Sequence, residues 1–194
     1  MVKLVVGIGN PGRQYVWTRH NIGFLFLDML ASRFSGAFRE APRLFSSFMK
    51  VETSCGVIVL IKPSTYVNLT GKAVLAAKRF FGVSVEGILI VADDINREFG
   101  SIRFRQDCGA GGHNGLKNTT QVLQSNHYWQ LRLGVGRPSN PESEGGADYV
   151  LSNFSFNERK GLNGFFEKGI EEISPWLAFN LKGIYCSLFE KKSS

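Results

Sequence analysis

The feature that most constrains this chain is the stretch Gly7-Ile8-Gly9-Asn10-Pro11-Gly12 near its start. It follows a short apolar run, Leu4-Val5-Val6, that reads as a buried strand, and it leads toward Phe24-Leu25-Phe26-Leu27-Asp28-Met29-Leu30, which reads as a helix. A strand, a glycine-rich excursion and a helix form one unit of an α/β protein. In an open α/β sheet, ligands bind in the crevice at such strand ends. The excursion continues to Gly23 and carries an imidazole, His20, and two carboxamides, Asn10 and Asn21. These groups suit proton transfer and hydrogen bonding without a metal.

Gly7, Gly9 and Gly12 fit the G-x-G-x-x-G dinucleotide fingerprint. Three features count against nucleotide binding. Pro11 removes a backbone N–H from the turn that should cradle phosphate. The segment from Arg13 to His20 is polar and aromatic and has no helical stripe, so no helix opens at Gly12. The acidic residue expected about 20 positions on would be Asp28, which lies inside the apolar run.

Further along, Ser46 to Thr53 and Val57 to Ile61 read as a hairpin around Ser54-Cys55-Gly56. Pro63 closes that strand, and a helix follows to about Phe81 with Val74, Leu75, Ala77 and Phe81 on its apolar face. Ile88 to Ala92 is a continuous apolar run ending in Asp93-Asp94, as expected of a buried parallel strand with carboxylates at its C-terminal end. Ser101 to Gln106 alternates Ile102 and Phe104 with Arg103 and Arg105, a strand with one basic face. A second glycine-rich loop, Gly109 to Gly115, opens a helix from Leu116 to about Gln124. Gln130 to Gly136 reads as another strand, Glu142 to Gly146 as a polar mobile loop, and Asp148 to Leu151 as a short strand. Asn157 to about Tyr185 reads as helical, with Pro175 as a start or kink, and Glu190 to Ser194 as a solvated tail. No linker or repeat divides the chain. The expected fold is a single α/β domain over residues 1–194, a twisted mixed β-sheet flanked by helices.

Composition bounds the function. With 194 residues, 43% hydrophobic and 20% charged, the chain can bury a sizeable core, and no run approaches a membrane span. The start, Met1-Val2-Lys3-Leu4, shows no signal pattern, which implies a cytoplasmic protein without a membrane partner. Cys55, Cys108 and Cys186 are widely spaced and the three histidines lack ligand spacing, so neither metal nor cofactor is expected. A net charge of +7 favours an anionic partner such as a phosphate backbone.

Five segments could share one rim: Asn10 to His20, Tyr66 to Asn68, Asp93, His113 to Asn114, and Arg132 to Arg137. A neutral histidine can take a proton from water. A carboxylate accepting its other N–H would fix the tautomer and stabilise the imidazolium. Asparagine amides can hold a carbonyl oxygen as it gains charge. No serine or cysteine elbow is present, which leaves water as the nucleophile. Taken singly, each residue has a structural explanation: Asn10 as a turn residue, Asp93 as a cap, Arg103 and Arg105 as a solvated face. His113 is assigned to packing in its glycine loop and His127 to the surface.

The order of these segments resembles the bacterial peptidyl-tRNA hydrolase family. Gly7-x-Gly9-Asn10-Pro11-Gly12-x-x-Tyr15-x-x-Thr18-Arg19-His20-Asn21-x-Gly23 is similar to its opening motif at every fixed position. Lys62-Pro63-x-Thr65-Tyr66-x-Asn68-x-x-Gly71, Ala110-Gly111-Gly112-His113-Asn114-Gly115-Leu116-Lys117, Leu131-Arg132-x-Gly134-x-Gly136-Arg137-Pro138 and Asp148-Tyr149-Val150-Leu151-x-x-Phe154 resemble later ones. The resemblance implies a metal-free, monomeric esterase that cleaves peptidyl-tRNA into peptide and tRNA. It makes His20 the general base, Asp93 its support and Asn10 the group that tells an N-blocked peptide from a free aminoacyl group. Tyr15, Tyr66, Asn68 and Asn114 would surround the tRNA 3′ CCA end. Arg103, Arg105, Lys117, Arg132 and Arg137 are the candidate contacts to phosphates of the acceptor arm. Val67, in place of a common methionine, and the loop Ile95 to Gly100 depart from the family pattern. A non-catalytic RNA-binding protein on the same fold is the other class; retention of Asn10, His20, Asp93 and Asn114 favours the enzyme.

Overall fold

The computed structural model describes residues 2–53, 56–138 and 145–177. Among these, seven strands form one mixed sheet: β1 (Val2–Gly7), β2 (Arg39–Ala41), β3 (Ser46–Thr53), β4 (Gly56–Pro63), β5 (Ile88–Asp94), β6 (Ile102–Gln106) and β7 (Trp129–Gly134). Their spatial order is β2-β3-β4-β1-β5-β7-β6. β1 lies parallel to both β4 and β5, and β5 lies parallel to β7. The edges are antiparallel: β3 returns along β4, β2 pairs with β3, and β6 returns along β7. Because β1 sits between β4 and β5, the strand order reverses at its C-terminal end. The glycine-rich excursion leaves the sheet at that switch point.

Five helices cover the sheet: α1 (Ile22–Arg33), α2 (Thr70–Phe81), α3 (Asn114–Leu123), α4 (Gly146–Leu151) and α5 (Phe156–Leu177), counted among the described residues. Alternation along the buried strands sorts the core into two layers. Val5, Leu60, Leu89, Val91 and Leu131 pack with Phe26, Leu27 and Leu30 of α1 and with Phe165, Phe166 and Ile170 of α5. Leu4, Val6, Ile61, Ile88 and Ile90 pack with Val74 and Ala77 of α2 and Leu116 of α3. Phe26 meets Phe166 edge-on at 5.8 Å between ring centroids. Truncating a buried phenylalanine of this kind costs about 3–5 kcal/mol. No helix among the described residues is long and apolar enough to cross a membrane.

Helix ends follow local chemistry. α2 stops at Gly82, whose φ of 64° admits the left-handed cap. α5 begins with a capping box: the Ser155 hydroxyl accepts the Glu158 N–H, and the Glu158 carboxylate accepts the Ser155 N–H.

Several expectations need correction. Asp148 to Leu151 is not a strand but most of α4, where Tyr149 N–H bonds back to Gly145 O and its hydroxyl donates to Val135 O. Four residues are too few to separate the two periods. A 3-10 turn, Val67–Leu69, precedes α2, and β2 was not foreseen. Of the two alternatives for Pro175, the start is excluded, because it lies inside the last turns of α5. Ser54, Cys55, most of the Glu142 to Gly146 loop, Cys186 and the chain after Leu177 lie outside the described residues.

Candidate functional site

The excursion is pulled back against the sheet by two glycines. A Cβ on Gly23 would lie 2.5 Å from Ile8 N and 2.6 Å from Val91 O, and one on Gly7 would lie 2.5 Å from Gly23 O. The backbone of α1's first turn therefore touches the ends of β1 and β5 directly. This contact sets the 3-10 turn Arg19–Asn21 over the C-terminal end of β5. There the His20 Nδ1 lies 2.8 Å from Asp93 Oδ1.

Asp93 has a second imidazole partner. His113 Nε2 lies 3.0 Å from the same Oδ1, while His113 Nδ1 accepts the N–H groups of Gly115 and Leu116 at 3.1 and 3.3 Å. His113 is the N-cap of α3, with its ring doing the capping. Because Nδ1 accepts, the His113 proton must sit on Nε2, where it donates to Asp93. His20 then donates its Nδ1–H to the same carboxylate, which leaves Nε2 as its basic atom. Asp93 is 3% exposed, and burial alone would raise its pKa. The electrostatic attraction and N–H groups of the His20 and His113 rings outweigh that and hold it far below the usual carboxylate range. For His20, burial pulls the pKa down, but the charge and hydrogen bond of Asp93 prevail and raise it above 6.5.

Asn10 is fixed on three sides. Its backbone N–H donates to Asn21 Oδ1 and its carbonyl accepts from Asn21 Nδ2, both at 2.9 Å. Its own Oδ1 accepts the Val67 N–H at 3.1 Å. With the oxygen engaged, the part of the carboxamide left to meet a ligand is the NH2. Arg19 ties the same turn to the C-terminal region. Its guanidinium meets Glu158 at 2.9 Å, Ser152 Oγ at 2.7 Å and Asn153 O at 2.8 Å, and stacks over the Tyr149 ring.

These groups border an open cleft of about 490 Å³. Asn10, His20, Tyr66, Asn68, Asp93, Asn114 and Arg132 all line it, so the expected segments other than Arg137 do meet. Tyr15 is not among the lining residues; its carbonyl instead accepts the Thr18 N–H and hydroxyl within the turn. The far wall comes from Ile95 and from Gly146, Ala147, Val150 and Leu151 of α4, none of which the sequence reading had assigned to the site. His113, assigned to packing from sequence, is part of the site. The signal was its place two residues before a helix-opening glycine, where an acceptor side chain has N–H groups to bind.

The basic residues divide. Arg103 and Arg105 share one face of β6, opposite Arg132 and Gln130 of β7, and line an adjoining cleft of about 290 Å³ with Arg97 and Cys108. Arg132 is 6% exposed and held by Asp94 at 3.3 Å and Ala110 O at 3.2 Å, so it forms the partition between the two clefts. Arg137 spends its guanidinium on Ile95 O and Asn96 Oδ1. Lys117 is exposed on α3.

Among the described residues, His20, Asp93 and His113 offer ligand atoms within 4.8 Å of one another. The hydrogen bonds oppose their use as a metal cage. A cation on His113 Nε2 would drive the ring proton to Nδ1, directly against two backbone N–H groups. In the trio, both rings turn an N–H to the one Asp93 oxygen.

Fold and site together define an α/β protein with a histidine–carboxylate pair at the switch point of a mixed sheet, bordering an open cleft. Sequence and structure comparisons agree on the family. Residues 4–193 match the family model described as peptidyl-tRNA hydrolase, and the chain belongs to that family. It is 98% identical over 179 residues to a peptidyl-tRNA hydrolase of Chlamydia muridarum, covering 92% of this chain and 100% of that one. A relative of the same name from Chlamydia trachomatis serovar L2 is 80% identical over 177 residues, covering 91% and 99%. A crystal structure of a peptidyl-tRNA hydrolase in complex with N-propanol superposes with a TM-score of 0.84 at 28% identity, covering 94% of this chain and 92% of the other. The Acinetobacter baumannii peptidyl-tRNA hydrolase superposes with a TM-score of 0.79 at 31% identity, covering 86% and 83%.

Proposed function

We propose that this protein hydrolyses the ester between a peptide and the 3′ end of tRNA, with His20 as general base and water as nucleophile. The observation that carries the reading is the 2.8 Å contact of His20 Nδ1 with Asp93, which leaves Nε2 as the basic atom of a ring that lines the cleft. His20 takes a proton as water adds to the ester carbonyl. The imidazolium is stabilised by Asp93 and returns the proton to the departing ribose oxygen. The amides of Asn68 and Asn114 supply hydrogen bonds to the carbonyl oxygen as it gains charge.

Asn10 supplies selection. A peptidyl ester carries an amide carbonyl where a free aminoacyl ester carries an ammonium. The Asn10 NH2 can donate to that carbonyl and offers the ammonium nothing to donate to. The CCA end would occupy the cleft beside Tyr66, and Arg103 and Arg105 would face acceptor-arm phosphates, with Lys117 further along α3.

The test is cleavage of N-blocked and free aminoacyl-tRNA by the wild type and by Asn10→Asp. The wild type should cleave the blocked ester and spare the free one. The variant should lose rate and also preference, because a carboxylate attracts the ammonium. Binding of tRNA without any cleavage would instead mark a non-catalytic RNA-binding protein. An unchanged preference in Asn10→Asp would move selection away from Asn10.

A further inference from the structure

We infer that the exposed aromatic rings of Trp17 and Phe156 form a stacking platform for unpaired nucleotides of the substrate tRNA, beside the catalytic cleft. The inference rests on the tRNA reading above but concerns residues that reading does not use.

Trp17 is 43% exposed and Phe156 72% exposed. Each has a cation on one side. The Arg159 guanidinium sits 4.8 Å from the Trp17 ring, and Lys160 Nζ sits 4.3 Å from the Phe156 ring. Phe156, Arg159 and Lys160 occupy positions i, i+3 and i+4 of α5, so they share one helical face. Trp17 is tied to the same corner, because its carbonyl accepts the Phe154 N–H at 3.0 Å and Arg159 Nε donates to Phe154 O.

The charge of the corner selects the occupant. Glu158, the acidic residue of this turn, is neutralised by Arg19 at 2.9 Å. Arg159 and Lys160, the cations over the two rings, are left to set the local field. An apolar protein partner would gain nothing from two cations against the rings. A single-stranded nucleic acid has a π-face for each ring and a phosphate for each cation. The platform is also continuous with the site: Trp17 lies three residues before His20, and Thr18 bridges to Asn153, two residues after the cleft-lining Leu151. Nucleotides leaving the cleft on this side would cross it.

The experiment measures binding of uncharged tRNA, intact or trimmed of its unpaired 3′ nucleotides, to the wild type and to the Trp17→Ala/Phe156→Ala double variant. Stacking is worth enough that losing one ring should raise Kd at least about 5-fold, and losing both at least about 25-fold, for intact tRNA. Trimmed tRNA should bind both proteins alike, which also shows that the variant is folded. The Trp17→Phe/Phe156→Tyr pair should recover binding to within about 3-fold, because ring faces suffice. If the alanine variant does not fold, a fluorescent base at the unpaired positions should be quenched by the wild type and not by Trp17→Leu. Equal Kd values for intact tRNA, equal losses for both tRNAs, or quenching that survives Trp17→Leu would overturn the platform. None of those results bears on esterase activity, which is read separately by cleavage of N-blocked aminoacyl-tRNA.

Discussion

Asp93→Asn isolates the charge of the carboxylate from its hydrogen-bond geometry. The His113 tautomer is fixed by Gly115 and Leu116 N–H, so its Nε2–H requires an acceptor at the Oδ1 position. An asparagine would satisfy it by placing its own oxygen there. That oxygen would also accept the His20 Nδ1–H, as Asp93 Oδ1 does at 2.8 Å. The basic atom of His20 therefore stays at Nε2, and the loss is the charge alone. With charge centres about 4 Å apart and an effective dielectric near 20, the attraction between carboxylate and imidazolium is about 4 kcal/mol. At 1.36 kcal/mol per decade this corresponds to a fall of roughly 10³ in the chemical step. The same loss leaves burial unopposed on His20, so the acid limb of its rate profile should move from above 6.5 to below it. Single-turnover cleavage across pH, with tRNA affinity measured in parallel, checks both. A fall of less than tenfold, or an acid limb that moves to higher pH, would refute the assignment of Asp93 as electrostatic support.

Removing the other donor should act in the opposite sense: His113→Ala takes an N–H from Asp93, strengthens its pull on His20, and should shift the acid limb of kcat/KM upward, while an unshifted limb would leave His113 with capping alone. In the wild type, activity should fall as pH drops through a His20 pKa above 6.5, because only the neutral ring accepts a proton, and a profile flat from pH 8 to pH 5 would contradict this. Neutralising Arg103 and Arg105, on the face of β6 that lines the second cleft, should each reduce the log–log salt slope of tRNA binding by about 1; an unchanged slope would place the phosphates elsewhere. Gly23→Ala should be severely destabilising, since its Cβ would meet backbone atoms at 2.5–2.6 Å that cannot move without displacing β1 and β5, and a thermal midpoint within two or three degrees of wild type would show that the contact relaxes.

Much of the architecture could be read from the chain because its signals are local. Ile88 to Ala92 is uniformly apolar because both sheet faces are covered, and Arg103 and Arg105 alternate with Ile102 and Phe104 because one face of β6 is not. The site was legible where a motif holds several chemical groups at once, as in Asn10 to His20. Other parts depend on contacts that sequence does not encode locally. His113 looks like any histidine in a glycine loop until two N–H groups are seen at its Nδ1, and its role depends on a carboxylate 20 residues away. Arg132 reads as a phosphate ligand but is committed to Asp94, 38 residues earlier. The α4 wall was missed because a six-residue helix carries too little periodicity to announce itself.

The central claim is that His20 activates water while other groups hold the tRNA. Single-turnover cleavage of N-blocked aminoacyl-tRNA by saturating His20→Ala, with Kd for uncharged tRNA measured on the same preparation, tests it most directly. The account predicts a rate lower by about 10²–10⁴ and a Kd within about 3-fold of wild type, because the cleft walls and the arginine face are untouched. A near wild-type rate, or a loss explained wholly by failure to bind tRNA, would contradict it.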